Sequence, residues 1–108
     1  MGTPRMPRKC LPARRQVETV DLHYGGRRYH LGIGEYPDGE PGETFVRGAK
    51  PGSDVDLLCD DIGVLISRLL QHGDSPAALA AGLGRLGDGT PASIVGAIAD
   101  VLAAKAAG

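Results

Sequence analysis

The hydrophobic and polar residues of this chain first alternate and then change to a helical spacing. The stretch "QVETVDLHYGGRRYHLGIGEY" alternates on both sides of Gly25-Gly26. Two glycines permit the positive φ values of a tight hairpin turn, so the pattern predicts a β-hairpin with one mainly apolar and one polar face. The cross-strand pairs are then Tyr24–Arg27, Leu22–Tyr29 and Val20–Leu31 on the apolar face, and Asp21–His30 and His23–Arg28 on the polar face.

The residues after position 52 have the three-to-four-residue apolar spacing of a helix. Ser53 with Asp56 three residues later fits a capping box, and Gly73 suits the position after the last turn. Additional apolar residues widen the stripe, so we expect this helix to be buried on more than one side. The stripe comprises Val55, Leu58, Cys59, Ile62, Leu65, Ile66 and Leu69, widened by Leu57, Val64 and Leu70.

A third strand and two further helices complete the predicted fold. The strand is expected over 43–47, after a turn at 37–39. A short helix "PAALAAGL" should begin after Ser75, and "PASIVGAIADVLAAKAA" should begin after a cap at Thr90. The order β-β-β-α-α-α predicts an α+β fold, in which a three-stranded antiparallel sheet is followed by three helices packed on one face. The apolar third helix could also bury a face against a second copy, giving a homodimer.

Composition fits one small domain with an aliphatic core. The chain has 108 residues, of which 42% are hydrophobic and only 4% aromatic. Cys10 and Cys59 form no metal or disulfide pattern, and Cys59 on an apolar helix predicts an inert core thiol. No signal peptide and no apolar run of about 18 residues is visible, which favours a cytoplasmic protein.

Charge is distributed unevenly along the chain. Residues 1–16 contain five bases and no acid, whereas the other residues contain seven bases and thirteen acids. We therefore predict a basic, flexible arm over 1–16 and a folded domain over 17–106. The arm is either a solvated tail or a contact for nucleic acid or an acidic protein surface. Its bases are Arg5, Arg8, Lys9, Arg14 and Arg15.

The loop "GAKPGSDVD" contains a lysine and glycines and raises the question of a phosphate site. A P-loop has its lysine directly after the last glycine, whereas Lys50 precedes Pro51 and Gly52. Asp54 and Asp56 would repel an anion and suit the positive end of the helix dipole. The loop is therefore predicted to start a helix. The same aspartates, with Asp60 and Asp61, could bind a hard cation, but no EF-hand loop or His/Asp set accompanies them. The helix dipole is the preferred explanation, and we expect no metal or cofactor.

The histidines are candidates for acid–base chemistry, but surface roles are the simpler interpretation. Asp21 could orient His30 as in a catalytic dyad. Cross-strand charge pairing also explains Asp21–His30 and His23–Arg28, and no well-placed nucleophile is evident. His72 lies at a helix C-terminus, where a cation suits the dipole. We therefore predict no catalytic residue and treat the polar face, with His23, Arg28 and His30, as an interaction surface.

The stretch "ETFVRGAKPGSDVDLLCDDIGVLISRLLQHGDSPAALAAGL" resembles the TSCPD domain. That domain forms the C-terminus of adenosylcobalamin-dependent ribonucleotide reductases and also occurs in small stand-alone proteins. Its strand ends in a pattern like "(I/V)xxGKxGS", and its long helix ends in a pattern like "RLISLALRxG"; the counterparts here are "FVRGAKPGS" and "GVLISRLLQHG". The residues that carry the motif are Gly48, Lys50, Gly52 and Ser53.

The resemblance has limits that bear on function. The large reductases carry a cysteine before the first strand and another after the Gly-Ser turn, where this chain has Gln16-Val17 and Asp54. A metal or thiol role of those cysteines is therefore not implied here. The chain is also too short for the reductase barrel and cobalamin site, so a reductase name, thioredoxin-linked or otherwise, would describe its relatives.

The resemblance implies an accessory or interaction module related to deoxyribonucleotide synthesis and DNA replication, not catalytic alone. Its partner would be a ribonucleotide reductase large subunit or another nucleotide-metabolism protein. The alternative is a small nucleic-acid-binding protein that uses the basic arm together with Arg27 and Arg28.

Overall fold

The computed structural model describes residues 7–108, which form an α+β fold. A three-stranded antiparallel sheet has the order β1-β2-β3, and three helices follow it in sequence. This is the predicted fold class. The strands are β1 (Val17–Tyr24), β2 (Arg27–Glu35) and β3 (Pro41–Arg47), and the helices are α1 (Asp54–Gln71), α2 (Pro76–Ala81) and α3 (Ile94–Ala107).

The hairpin has the predicted register along its whole length. Gly25 and Gly26 have φ values of 58° and 77°, which suit a two-residue turn. All five predicted cross-strand pairs are present, from Tyr24–Arg27 at the turn to Val20–Leu31. β3 begins at Pro41, two residues earlier than predicted, and pairs with β2 after an irregularity at Gly34/Glu35.

The core lies between the inner face of the sheet and helices α1 and α3. Leu31 and Ile33 of β2 and Ile98 and Leu102 of α3 are fully buried. The apolar face of α3 is therefore used mainly inside the chain. The homodimer stays a prediction. The core residues are Tyr29, Leu31, Ile33, Val46, Cys59, Ile66, Leu70, Ile98 and Leu102.

The predicted caps of α1 and α2 are confirmed. The Ser53 hydroxyl accepts the backbone N–H of Asp56 at 3.2 Å, and the Ser75 hydroxyl accepts that of Ala78 at 3.1 Å. Gly73 has a φ of 103°, and its N–H donates to the carbonyl of Leu70. Gly73 thus ends α1 in the left-handed conformation that glycine adopts without strain.

Helix α1 is buried on one side only, which corrects the sequence prediction. Its inward side, with Cys59, Ile66 and Leu70, joins the core. The sheet has three strands and α3 occupies the rest of its inner face, so no element within residues 7–108 covers the other side of α1. The outward-facing residues Leu57, Leu58, Val64 and Leu65 are exposed, as are Val55 and Leu69.

Helix α3 begins later than predicted. Ser93 is its N-cap, with its hydroxyl accepting the N–H of Gly96, whereas Thr90 donates its own N–H and hydroxyl to Asp88. Thr90 therefore belongs to a preceding turn, which an isolated bridge between Arg85 and Pro91 closes.

Across residues 7–108, no helix combines the length and the apolar character that a bilayer crossing needs.

Candidate interaction surface

The outer face of the hairpin carries the predicted polar cluster. Nδ1 of His30 lies 2.9 Å from the Asp21 carboxylate, and the Arg28 guanidinium lies 3.9 Å from the same carboxylate. His23 is the cross-strand partner of Arg28 and is exposed. The side chains of Asp21, Arg28 and His30 are each about half exposed. The cluster is thus a solvent-facing group in which Arg28 and His30 lie beside one acid, with His23 opposite Arg28.

Strand β3 adds Phe45 and Arg47 to this face, and sequence reasoning missed both. Phe45 pairs with Gly32 and lies over it, and Arg47 pairs with His30. Phe45 remains 46% exposed. The alternation in "TFVR" could have predicted their position, because successive side chains of a strand face opposite sides and Val46 is apolar. These residues line a shallow depression of about 270 Å³, together with Thr19, His30 and Gly32.

Part of the predicted basic arm lies on the body of the domain. Nε of Arg8 donates to the Gln71 side chain at 2.6 Å, and the Lys9 N–H donates to the Gln71 carbonyl at 2.7 Å. The Lys9 ammonium lies 4.3 Å from the centroid of the Tyr36 ring, and the Tyr36 hydroxyl donates to the Lys9 carbonyl. Both bases are therefore engaged within the chain.

Arg15 is also paired within the chain. Its guanidinium forms an ion pair with Glu43 and donates to the Pro12 carbonyl at 2.8 Å. The hydrogen bond to Glu43 raises the pKa of Arg15, although partial desolvation opposes this effect. Gly34, opposite Glu43 in the sheet, leaves the space that the carboxylate occupies.

Two arm residues remain to be placed. Arg14 is exposed and lines a depression of about 320 Å³ with Arg15 and Tyr36. Arg5 lies outside the described residues. Between residues 7 and 16, Arg14 is thus the exposed base that takes no part in the contacts described above. The domain boundary at residue 16 stays a prediction.

In the motif loop between β3 and α1, the backbone N–H groups of two residues donate hydrogen bonds within the chain. The N–H of Gly52 donates to the Asp56 carboxylate at 2.9 Å, and the N–H of Ser53 donates to the Lys50 carbonyl at 3.0 Å. The Ser53 hydroxyl donates to the same carbonyl at 2.6 Å. These donors are already paired within the loop or with Asp56, and an anion would meet the Asp56 carboxylate.

Gly48 has a steric role in this loop. Its φ is 116°, and a Cβ atom there would lie 2.8 Å from the carbonyl oxygen of Arg28. The Gly48 carbonyl accepts a hydrogen bond from Arg27 at 3.1 Å. Glycine at 48 thus allows the loop to pass close to β2, while Lys50 remains exposed.

The two thiols of the described residues differ in burial. Cys59 is buried, and burial, followed by the charges of Asp56 and Asp60, raises the pKa of its thiol. Cys10 is exposed. Among residues 7–108 no three His, Cys, Asp or Glu side chains come together in a way that could hold a metal ion.

Comparisons with known proteins find relatives by sequence. The chain is 39% identical over 66 residues to a vitamin B12-dependent ribonucleotide reductase of Rhodopirellula baltica, which covers 61% of this chain and 6% of that protein. It is 36% identical over 66 residues to the enzyme of the same name from Agrobacterium fabrum, which covers 61% of this chain and 5% of that protein. No solved structure matches.

The chain spans only about a twentieth of the length of these curated relatives. The family model described as the TSCPD domain matches residues 3–106, which is nearly the whole chain and includes most of the predicted arm. On that match, together with the hairpin, the glycine loop and the capped helix described above, this chain belongs to the TSCPD domain family.

Proposed function

We propose that this TSCPD domain is an accessory interaction module for a vitamin B12-dependent ribonucleotide reductase, and that it is not catalytic alone. The observation that carries the proposal is the outer face of the sheet, where exposed Phe45 shares a depression with His30 and Arg47, and Arg28 lies farther along the same face. Exposed aromatic and arginine side chains are enriched at protein interfaces. The similarity to reductases supplies the proposed partner. The module would act in the cytoplasm.

Charge complementarity would orient the complex. The outer face presents two arginines, Arg28 and Arg47. The acid in the described cluster is Asp21. An acidic patch on the reductase would steer association, while Phe45 would provide the apolar contact. Binding should therefore weaken as salt concentration rises.

The test is direct binding of the full-length chain to a purified vitamin B12-dependent reductase from the same cells. Phe45→Ala and Arg47→Glu should each weaken binding at least about tenfold, because they remove the central contact or reverse a charge there. Lys50→Glu is the charge-matched control, since Lys50 lies on the loop before α1 and not on the sheet. Equal affinity of all these variants, or no binding by the native chain, would refute the proposal.

The alternative function is nucleic-acid binding, and one observation favours it. Phe45 is an exposed ring beside Arg47 in a depression that His30 also lines, and single-stranded bases stack on exposed aromatic rings near basic side chains. Arg14, with Arg5 of the undescribed segment, would add phosphate contacts from the arm. Affinity for a single-stranded oligonucleotide should then fall steeply with salt, and Arg5→Ala with Arg14→Ala should reduce that salt dependence.

A further inference from the structure

The outward side of α1 is the largest concentration of uncovered apolar residues in the described chain. Nine large hydrophobic residues are exposed between 7 and 108, and six of them are on α1. Leu57, Leu58, Val64 and Leu65 are 55–61% exposed. Phe45 extends this surface, because it lines the same cleft of about 330 Å³ as Val64. Single-domain proteins rarely leave such a continuous apolar surface in water unless another molecule covers it.

Two charges interrupt this stripe, and they have opposite signs. Asp61 and Arg68 are seven residues apart, which is two helical turns, so they lie on one line about 10 Å apart along the axis. Both are exposed, and within residues 7–108 neither side chain forms an ion pair or a hydrogen bond. Val64 and Leu65 lie midway between them.

We propose that the outward side of α1 binds the same surface of a second copy of this chain, with the two helices antiparallel. A two-fold axis between residues 64 and 65 places Asp61 of each copy opposite Arg68 of the other. Val64 and Leu65 of the two copies then meet at the axis, with Leu57 and Leu58 beyond the charged pairs. The stripe is therefore complementary to itself in charge at positions 61 and 68 and in apolar character at positions 64 and 65.

The order of acidic and basic residues along α1 favours a second copy of this chain as the partner. Acids precede residue 64 and the base Arg68 follows it, so reversing one helix matches unlike charges at both ends. A parallel pair would instead place Asp61 beside Asp61 and Arg68 beside Arg68. A partner of other sequence would need no such internal symmetry. The dimer uses α1 and leaves α3 in the core, unlike the sequence prediction.

Sedimentation velocity of the full-length chain, from micromolar to submillimolar concentrations, tests the proposal. The native chain should change from monomer to dimer within this range. Asp61→Arg and Arg68→Asp should each raise the dimer dissociation constant roughly 10- to 100-fold, because each variant turns two attractive contacts into repulsive ones. Both sites are exposed, so circular dichroism and the melting temperature of the dilute monomer should not change.

The decisive experiment is sedimentation of a mixture of the two variants. In a heterodimer of the Asp61→Arg chain with the Arg68→Asp chain, the first chain carries arginine at both positions and the second carries aspartate at both. Each of the two contacts between positions 61 and 68 then pairs an arginine with an aspartate. The mixture should therefore dimerise about as well as the native chain, whereas each variant alone should not. Lys50→Asp, an equal charge change on the loop before α1, is the control and should leave dimerisation unchanged.

Three results would overturn the proposal. One is a native chain that stays monomeric throughout the range. Another is a dimer that neither Asp61→Arg nor Arg68→Asp weakens. The last is a mixture of these two variants that fails to recover dimerisation. If the native chain is monomeric and Leu65→Glu abolishes its binding to a reductase, the stripe is assigned to the reductase and not to a second copy.

Discussion

The backbone N–H of Thr44 donates a hydrogen bond to the hydroxyl of Ser67 at 3.0 Å, which joins edge strand β3 to helix α1. The helix comes this close because Gly63 has no side chain; a Cβ there would lie 3.1 Å from the Thr44 carbonyl oxygen. The Ser67 hydroxyl in turn donates to the Gly63 carbonyl at 2.6 Å. This contact satisfies a donor that β3 would otherwise leave unpaired at the sheet edge.

Replacing Ser67 by alanine should destabilise the domain. Thr44 is almost completely buried, so its N–H would lose its acceptor without gaining water. The free energy of unfolding should fall by about 1–3 kcal/mol, as measured by urea denaturation. Hydrogen exchange at the Thr44 amide should accelerate more than exchange at amides paired between β1 and β2. Unchanged exchange at Thr44 would show that Ser67 is not its acceptor.

Gly48 should not tolerate a side chain. Its φ of 116° is strained for any other residue, and an alanine Cβ would lie 3.0 Å or less from backbone atoms of Arg28 and Tyr29. Gly48→Ala should lower the free energy of unfolding by about 1–3 kcal/mol. Gly87→Ala is the control, because Gly87 has no neighbour within 4 Å and no positive φ. Equal melting temperatures of the two variants would contradict the steric account.

The two thiols should differ in reactivity. Cys10 is exposed and should react with Ellman's reagent in the folded protein, whereas buried Cys59 should react only after unfolding. The raised pKa of Cys59 also has a consequence for stability. As pH rises above the ordinary thiol pKa, the unfolded chain releases its proton first, so Cys59 contributes a loss of stability at alkaline pH. Cys59→Ala should reduce that alkaline dependence, although the variant itself will be less stable.

The ion pair between Arg85 and Asp100 should make stability fall at acid pH, whereas Cys59 makes it fall at alkaline pH. The guanidinium donates twice to the carboxylate, at 2.8 and 2.5 Å. Hydrogen bonding to Arg85 lowers the pKa of Asp100. The pair therefore contributes stability above the unfolded pKa of this carboxyl, and that stability is lost as pH falls through the folded value.

Nuclear magnetic resonance titration checks this assignment. Arg85→Gln should raise the pKa of Asp100 toward its ordinary value, whereas Arg14→Gln, at an exposed base outside this pair, should not. Since both partners are solvent-exposed, the change in overall stability should be small. A carboxyl pKa that does not move in Arg85→Gln would contradict the ion pair.

The sequence by itself determined the elements whose geometry is local. A two-glycine turn fixes the register of a hairpin, so the pairing from Tyr24–Arg27 to Val20–Leu31 followed from Gly25-Gly26 and the alternation alone. The caps at Ser53 and Ser75 were equally predictable, because a cap needs only a hydroxyl and the N–H three residues later. The glycine loop carried the family resemblance; Gly52 in it meets a local requirement, a φ of 76°, whereas Gly48 also makes room for β2.

Only the tertiary structure decided which surfaces remain uncovered. Helical spacing shows that α1 has apolar residues on two sides, but the space left by a three-stranded sheet and α3 decides that Cys59 is buried and Leu65 is exposed. Residues distant in sequence also decided the position of the basic segment, where Gln71 binds Arg8 and Glu43 binds Arg15. Thr90 and Pro91 resembled a helix start until the bridge to Arg85 placed them in a turn. Such contacts depend on packing between remote segments, and no local pattern encodes them.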